Sequence, residues 1–144
     1  MSTAAAVVTA LTFVWLGMVV AISFLEAPLK FRAPGVTLPI GLGIGRLVFR
    51  ALNAAELVWA VAILVAVVLG SWPGAAIPTA TGVAVAALVV QLIAVRPALT
   101  KRSDAVLAGH DGPRSSAHLV YVGVEVIKVA ALIWLGTAVL VSAT

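Results

Sequence analysis

The stretch LVFRALNAAELVWAVAILVAVVL, residues 47–69, decides the fold. Its far half carries no charged side chain. At about 1.5 Å per residue a helix of this length reaches roughly 35 Å, enough to cross a hydrocarbon core of about 30 Å. Its near half carries Arg50, Asn53 and Glu56, with Arg46 just ahead of it. At 100° per residue these four side chains share an arc about 120° wide. A lipid-soluble segment with its polar groups on one face belongs in a bundle, because lipid cannot solvate that face.

Three further stretches, 4–25, 75–95 and 119–141, are of comparable length and apolarity. Over all 144 residues the chain is 63% apolar and 10% charged, with a mean hydropathy of +1.22. A soluble domain is about 45–50% apolar and about 25% charged. These values argue against a soluble enzyme and rule out disorder. The runs do not alternate in polarity as barrel strands do. The first has no basic residue ahead of it and outruns a signal-peptide core, so it reads as a retained helix. The expected fold is therefore all-α, an integral membrane four-helix bundle forming a single domain over 1–144. The chain has no cysteine, which excludes disulfides and thiolate chemistry.

Charge orders the connections. Lys30, Arg32, Arg46 and Arg50 lie around the first link, and Arg96, Lys101, Arg102 and Arg114 around the third. The middle link, Gly70-Ser71-Trp72-Pro73-Gly74, has none. The positive-inside bias places the basic side in the cytoplasm and both termini outside. Membrane lipids, with anionic headgroups on that side, are the expected partners of the net charge of +4. Nucleic acid is not expected, since no soluble reading domain exists. The alanine-, valine- and arginine-rich composition points to a bacterial plasma membrane. Pro73-Gly74 predicts a tight turn between antiparallel helices. Arg96-Pro97 predicts the end of the third helix, Asp111-Gly112-Pro113 a turn, and Ser115 or Ser116 the cap of the fourth. Gly82, Ala86 and Ala87 offer a small-residue surface for a homo-oligomer.

The polar residues inside the spans form the candidate site. On the fourth helix His118, Tyr121, Glu125 and Lys128 share an arc of about 80°, and on the first Thr9, Thr12, Ser23 and Glu26 one of about 100°. Counted from the basic side, Asn53 and Glu125 both lie about 9 Å deep, and Glu56 and Lys128 both about 14 Å deep. A Glu56–Lys128 ion pair is therefore available, with Arg50 or Tyr121 in reach of Glu125. Two carboxylates against one ammonium leave negative charge in excess, so one carboxyl carries a proton unless Arg50 reaches in. Proton-exchanging carboxyls inside bundles mark proton pathways, while polar groups can also simply join helices. Gly41, Gly43 and Gly45, immediately before Arg46, suggest an anion cradle for a lipid phosphate, or else a hinge or close contact. His110 reads as solvated. Two histidines without clustered partners make no metal site.

Two resemblances follow. Gly17, Pro28-x-x-Phe31, Gly41-x-x-x-Gly45 and Phe49 resemble the transmembrane-protein-205-like family of small, largely uncharacterised four-helix membrane proteins; this implies the fold and no reaction. Arg46-x6-Asn53-x2-Glu56 is similar to the second-helix signature of MAPEG membrane enzymes. That resemblance implies a glutathione-binding role for Arg46, Asn53 and Glu56, although Phe49 stands where that family carries a further arginine.

The leading expectation is a membrane protein whose intramembrane polar site binds or passes a proton or small polar solute, with no cofactor. Glu56, Glu125 and Lys128 are its working residues, with Arg46, Arg50, Asn53, His118 and Tyr121 around them. A MAPEG-like enzyme using a thiol cofactor is the alternative, and an accessory subunit of a membrane complex the third.

Overall fold

A computed structural model of the chain describes residues 1–109 and 116–144, the side chains of Ser116 and Ala117 excepted. It is built of four helices: α1 Thr3–Lys30, α2 Leu38–Leu69, α3 Ala76–Leu107 and α4 Ser116–Ala143. All four are long and apolar enough to cross a membrane, and the described residues include no strand. Ser2 caps α1, its hydroxyl accepting the Ala5 N–H at 3.1 Å. Thr37 caps α2 in the same way, with Pro39 in the first turn, where a missing N–H costs nothing. Helix α1 lies against α2 and α4, and α3 lies chiefly against α4.

The interior away from the basic end is apolar, filled by Val8, Ile63, Ile77, Leu132, Leu135 and Val139. The outside is apolar too: Val58, Val61, Val68 and Leu69 are among many large side chains left exposed. Charged groups, by contrast, are buried in the middle. Water-soluble proteins show the opposite distribution, and this surface on four helices long enough to cross a bilayer suggests a multi-pass membrane protein.

Two helices run further than the hydropathy suggests. Helix α2 begins at Leu38 and takes in the glycines. Helix α3 does not end at Arg96-Pro97 but continues to Leu107, contrary to the sequence expectation. Proline lacks an N–H, and its ring crowds the carbonyl one turn back. Here the preceding turn, Gln91–Val95, widens to π geometry, which makes room for the ring and lets the helix run on. Helix α1 does the same: Val20–Glu26 is π-helical and Pro28 follows it.

The α2–α3 link turns at Gly74, whose φ of +72° suits glycine. The Trp72 indole donates to the Val67 carbonyl at 2.8 Å, satisfying one of the free acceptors at the end of α2. The turn expected at 111–113, His110, Arg114 and the capping side chains of Ser115 and Ser116 lie outside the described residues.

Small residues bring helices close, but not all where expected. Ala80, Ala84 and Ala87 are buried, so Ala87 belongs to the bundle interior and not to an outer surface. Gly82 and Ala86, one turn apart, do face outward. Ala84→Leu should force bulk into a filled interface and destabilise the bundle by about 1–3 kcal/mol. Ala86→Leu on the open face should leave the thermal midpoint in detergent within error of the parent. Equal midpoints for the two variants would contradict this arrangement of α3.

Candidate functional site

Lys128 sits at the middle of α4 with its side chain wholly buried. An ammonium has three N–H donors, and three oxygens surround this one. It donates to Glu56 Oε1 on α2 and to Gln91 Oε1 on α3 at 2.7 Å, and it lies 2.6 Å from Glu125 Oε1, one turn earlier on α4. The Trp15 indole on α1 donates to Glu56 Oε1 at 2.9 Å. Ser23, also on α1, donates its hydroxyl to Glu125 Oε2 at 2.8 Å. All four helices thus meet at one polar cluster, of which Glu56 is 0% exposed, Glu125 1% and Gln91 1%.

Two of these side chains sit at backbone irregularities. Ser23 lies within the π segment of α1 and Gln91 at the start of that in α3. A π turn inserts about one residue into the helical count, so positions beyond it rotate by about 100° relative to a regular helix. The π turns thus change the phase between these two groups and the helix that continues past Pro28 and Pro97. Glu56 Oε2 and Gln91 Nε2 are buried and have no hydrogen-bond partner. With two carboxylates around one ammonium, the cluster carries one negative charge in excess if both are ionised.

Above this cluster, towards the basic ends of the helices, lies a cavity of about 680 Å³. Glu125 lines it, together with Ser23, Tyr121 and the cationic side chains of Lys30, Arg46, Arg96 and Arg102. Phe49 forms part of the wall: Lys30 Nζ lies 5.5 Å from the Phe31 ring and 5.7 Å from Phe49. The Arg96 guanidinium stands 5.7 Å from Phe49 as well. Tyr121 meets Phe49 edge to face at 5.7 Å and 89°. Such cation–ring and ring–ring contacts contribute on the order of 0.5–1.5 kcal/mol each and hold the wall together. In the opposite direction the cluster abuts the apolar core. The cavity is therefore on one side of the cluster only.

The residues singled out by sequence divide clearly. Glu56, Glu125 and Lys128 come together, and Tyr121 stands beside them in the cavity wall. His118 is exposed at the mouth of the cavity. Arg46 lines the cavity but pairs with Asp104 of α3 at 2.7 Å. Asn53 is buried on α2, and its side chain makes no hydrogen bond among the described residues. Arg50 is exposed, outside the cavity, and makes no ion pair among the described residues, so the reach towards Glu125 falls to Ser23, with the Tyr121 hydroxyl close by, and not to Arg50. Of Arg46, Asn53 and Glu56, Arg46 alone lines the cavity. The glycine run also has a different place. Gly41, Gly43 and Gly45 lie inside α2, beyond its free first-turn N–H groups, and the Gly41 N–H is already bonded to the Thr37 carbonyl at 2.9 Å. Gly41 admits the Phe31 ring and Gly45 the Lys30 ammonium, where an added Cβ would come within 3.0 Å of Nζ.

Trp15 and Gln91 were not legible as site residues. Gln91 is the strongly polar side chain in an otherwise apolar span, and that alone could have drawn attention to it. Trp15 looks like any aromatic in a hydrophobic run. The chain was compared with known protein families, curated proteins and solved structures, and none of them matches it.

Removing one member of a buried ion pair strands the other, whereas removing both leaves no uncompensated charge. Glu56→Gln and Lys128→Met should each lower thermal stability in detergent, and the double variant should recover much of the loss. The coupling in that double-mutant cycle should be about 1–3 kcal/mol. A value within error of zero would mean that the two side chains do not interact in the folded protein.

Proposed function

We propose that the chain is a small multi-pass membrane protein whose buried Glu56–Lys128–Glu125 cluster binds a proton or a small polar solute, reached through the cavity at the basic end. One observation carries this reading: Glu125 belongs to both parts. It lies 2.6 Å from the Lys128 ammonium and also lines the cavity. A proton arriving through the cavity meets a carboxylate in a cluster with excess negative charge, and its uptake there makes the cluster neutral. Ionisable groups kept inside a bundle at a cost of several kcal/mol are characteristic of such sites. Lys128 holds the two carboxylates near each other, and Gln91 and Trp15 orient the ammonium and Glu56.

The apolar core beyond the cluster favours one-sided access, so binding is the primary act. Transfer to the far side requires a second arrangement of the helices. Proposed with this are residence in a bacterial plasma membrane, a cytoplasmic basic end and outside termini. The positive-inside rule supports that orientation, and the lining of one cavity by Lys30, Arg46, Arg96 and Arg102 brings the basic links to a common end. The outward Gly82–Ala86 strip on α3 supports self-association through that helix.

Infrared spectra of the protein in lipid, titrated with pH, test the proton site directly. The parent should show a protonated-carboxyl band that appears on acidification and is lost in Glu125→Gln. An unchanged band in Glu125→Gln would show that this carboxyl does not take the proton. Orientation is checked by single cysteines in intact cells. Those at Ser2, Ser71 and Ser142 should label from outside, and those at Thr37 and Lys101 should not; both inner sites are exposed and so report reliably. Outside labelling at Lys101 would invert the orientation.

A further inference from the structure

We propose that the cavity at the basic end binds an amphiphilic anion, a phosphate or carboxylate headgroup on an apolar body, with Arg96 as the residue that recognises its charge. The claim does not rest on proton binding at the buried cluster.

Four cationic side chains line the cavity, and their partners differ. Lys30 has Glu26 at 3.8 Å, and Arg46 has Asp104 at 2.7 Å. Arg96 is partly buried in the wall, its guanidinium is set over the Phe49 ring, and among the described residues no carboxylate pairs with it. A guanidinium withdrawn from water without a counter-ion is costly, and a charge-assisted bond to an anion offsets that cost. Two further groups face the same space. The Ser103 hydroxyl is buried without a hydrogen bond, and the buried Tyr121 hydroxyl stands beside Ser23 and Glu125 without a well-aligned bond to either. Both residues line the cavity and are only 7% exposed. Either hydroxyl can donate to an anionic oxygen. A guanidinium, the unpartnered Ser103 hydroxyl and the Tyr121 hydroxyl around one space describe a headgroup site.

Volume and wall chemistry supply the rest of the ligand. At about 680 Å³ the cavity is of the size that holds a small organic molecule, far more than a bare phosphate fills. Phe24, Phe31, Leu42, Leu99, Val106 and Val122 are apolar parts of its wall. Water held against such surface is released by an alkyl or aryl body. The Gly41 and Gly45 positions matter here through what they admit: the Phe31 ring and the end of the Lys30 side chain approach α2 there, and both line the wall.

The ligand can come from the bilayer, as an anionic lipid, or from solution, as a soluble amphiphile. The full chain in phosphatidylcholine nanodiscs distinguishes them by calorimetric titration with octyl phosphate. Saturable binding to one site per chain is expected, with octanol and inorganic phosphate each at least about tenfold weaker. Arg96→Gln should weaken octyl phosphate by about tenfold or more, and Tyr121→Phe, which removes only the hydroxyl, by a few-fold. Lys101→Gln removes the same charge from an exposed position outside the cavity and should change affinity less than about twofold. If phosphatidic acid in the nanodisc abolishes the titration, the natural occupant is a lipid; if it does not, a soluble amphiphile is, and both results support the site. The proposal is overturned by no octyl phosphate binding in the parent, by octanol or inorganic phosphate binding as tightly, or by Lys101→Gln matching Arg96→Gln. Should Arg96→Gln fail to fold, unchanged affinity in Tyr121→Phe overturns it instead. Loss of the Glu125 infrared band with octyl phosphate binding intact would separate this site from the proton site.

Discussion

The Lys128 ammonium is the group around which the bundle is organised. It is wholly buried, and its surrounding oxygens come from α2, α3 and α4 itself. Helix α1 joins through Trp15 and Ser23, which donate to the two carboxylates. In water such a network would contribute little, because each partner is equally well solvated apart. Inside an apolar bundle the alternatives are a stranded charge or a distorted bilayer, so the network restricts how the helices can be rotated against one another. Apolar contacts among valine, leucine and alanine permit many such rotations at similar energy. The polar cluster removes most of them.

Two prolines extend this control. Helices that must place Ser23 and Gln91 against the cluster, and also continue to the basic end, need a local change of phase. The π turns ahead of Pro28 and Pro97 provide it. The continuation is what makes the cavity: without the part of α3 beyond Pro97, Leu99, Ser103 and Val106 would not form its wall. Site and cavity therefore share a cause in the backbone.

Glu125 connects two spaces of opposite character. On its inner side it faces Lys128 at 2.6 Å. On its outer side it borders a cavity whose charged lining is otherwise cationic. Positive potential from Arg96 and its neighbours acts on any anion in the cavity, and it also acts on the charge of the Glu125 carboxyl. An anion seated near Arg96 would offset part of that potential, which makes the cavity and the buried cluster electrostatically dependent on each other.

The four helices, their apolar exteriors and the Glu56–Lys128 depth match were legible in the sequence. They follow from local quantities: hydropathy over a window, and a rise of about 1.5 Å per residue. Length and period also placed Glu125 and Tyr121 on the face of Lys128. What they could not supply is rotation and reach across helices. Arg50 shares an arc with Glu56 on an ideal helix, yet its side chain is exposed, while Gln91, alone in its span, completes the ammonium's shell. Pro97 reads as a helix end because the π turn that accommodates it has no simple sequence signature. The glycines before Arg46 read equally well as a cradle or a close contact, and only the tertiary structure shows the Phe31 ring against Gly41 and the Lys30 ammonium against Gly45. Composition and periodicity determine which segments leave water and which faces are polar. Which polar groups meet, and where a cavity remains, depends on the phase of each helix against its neighbours, and only the assembled bundle sets that phase.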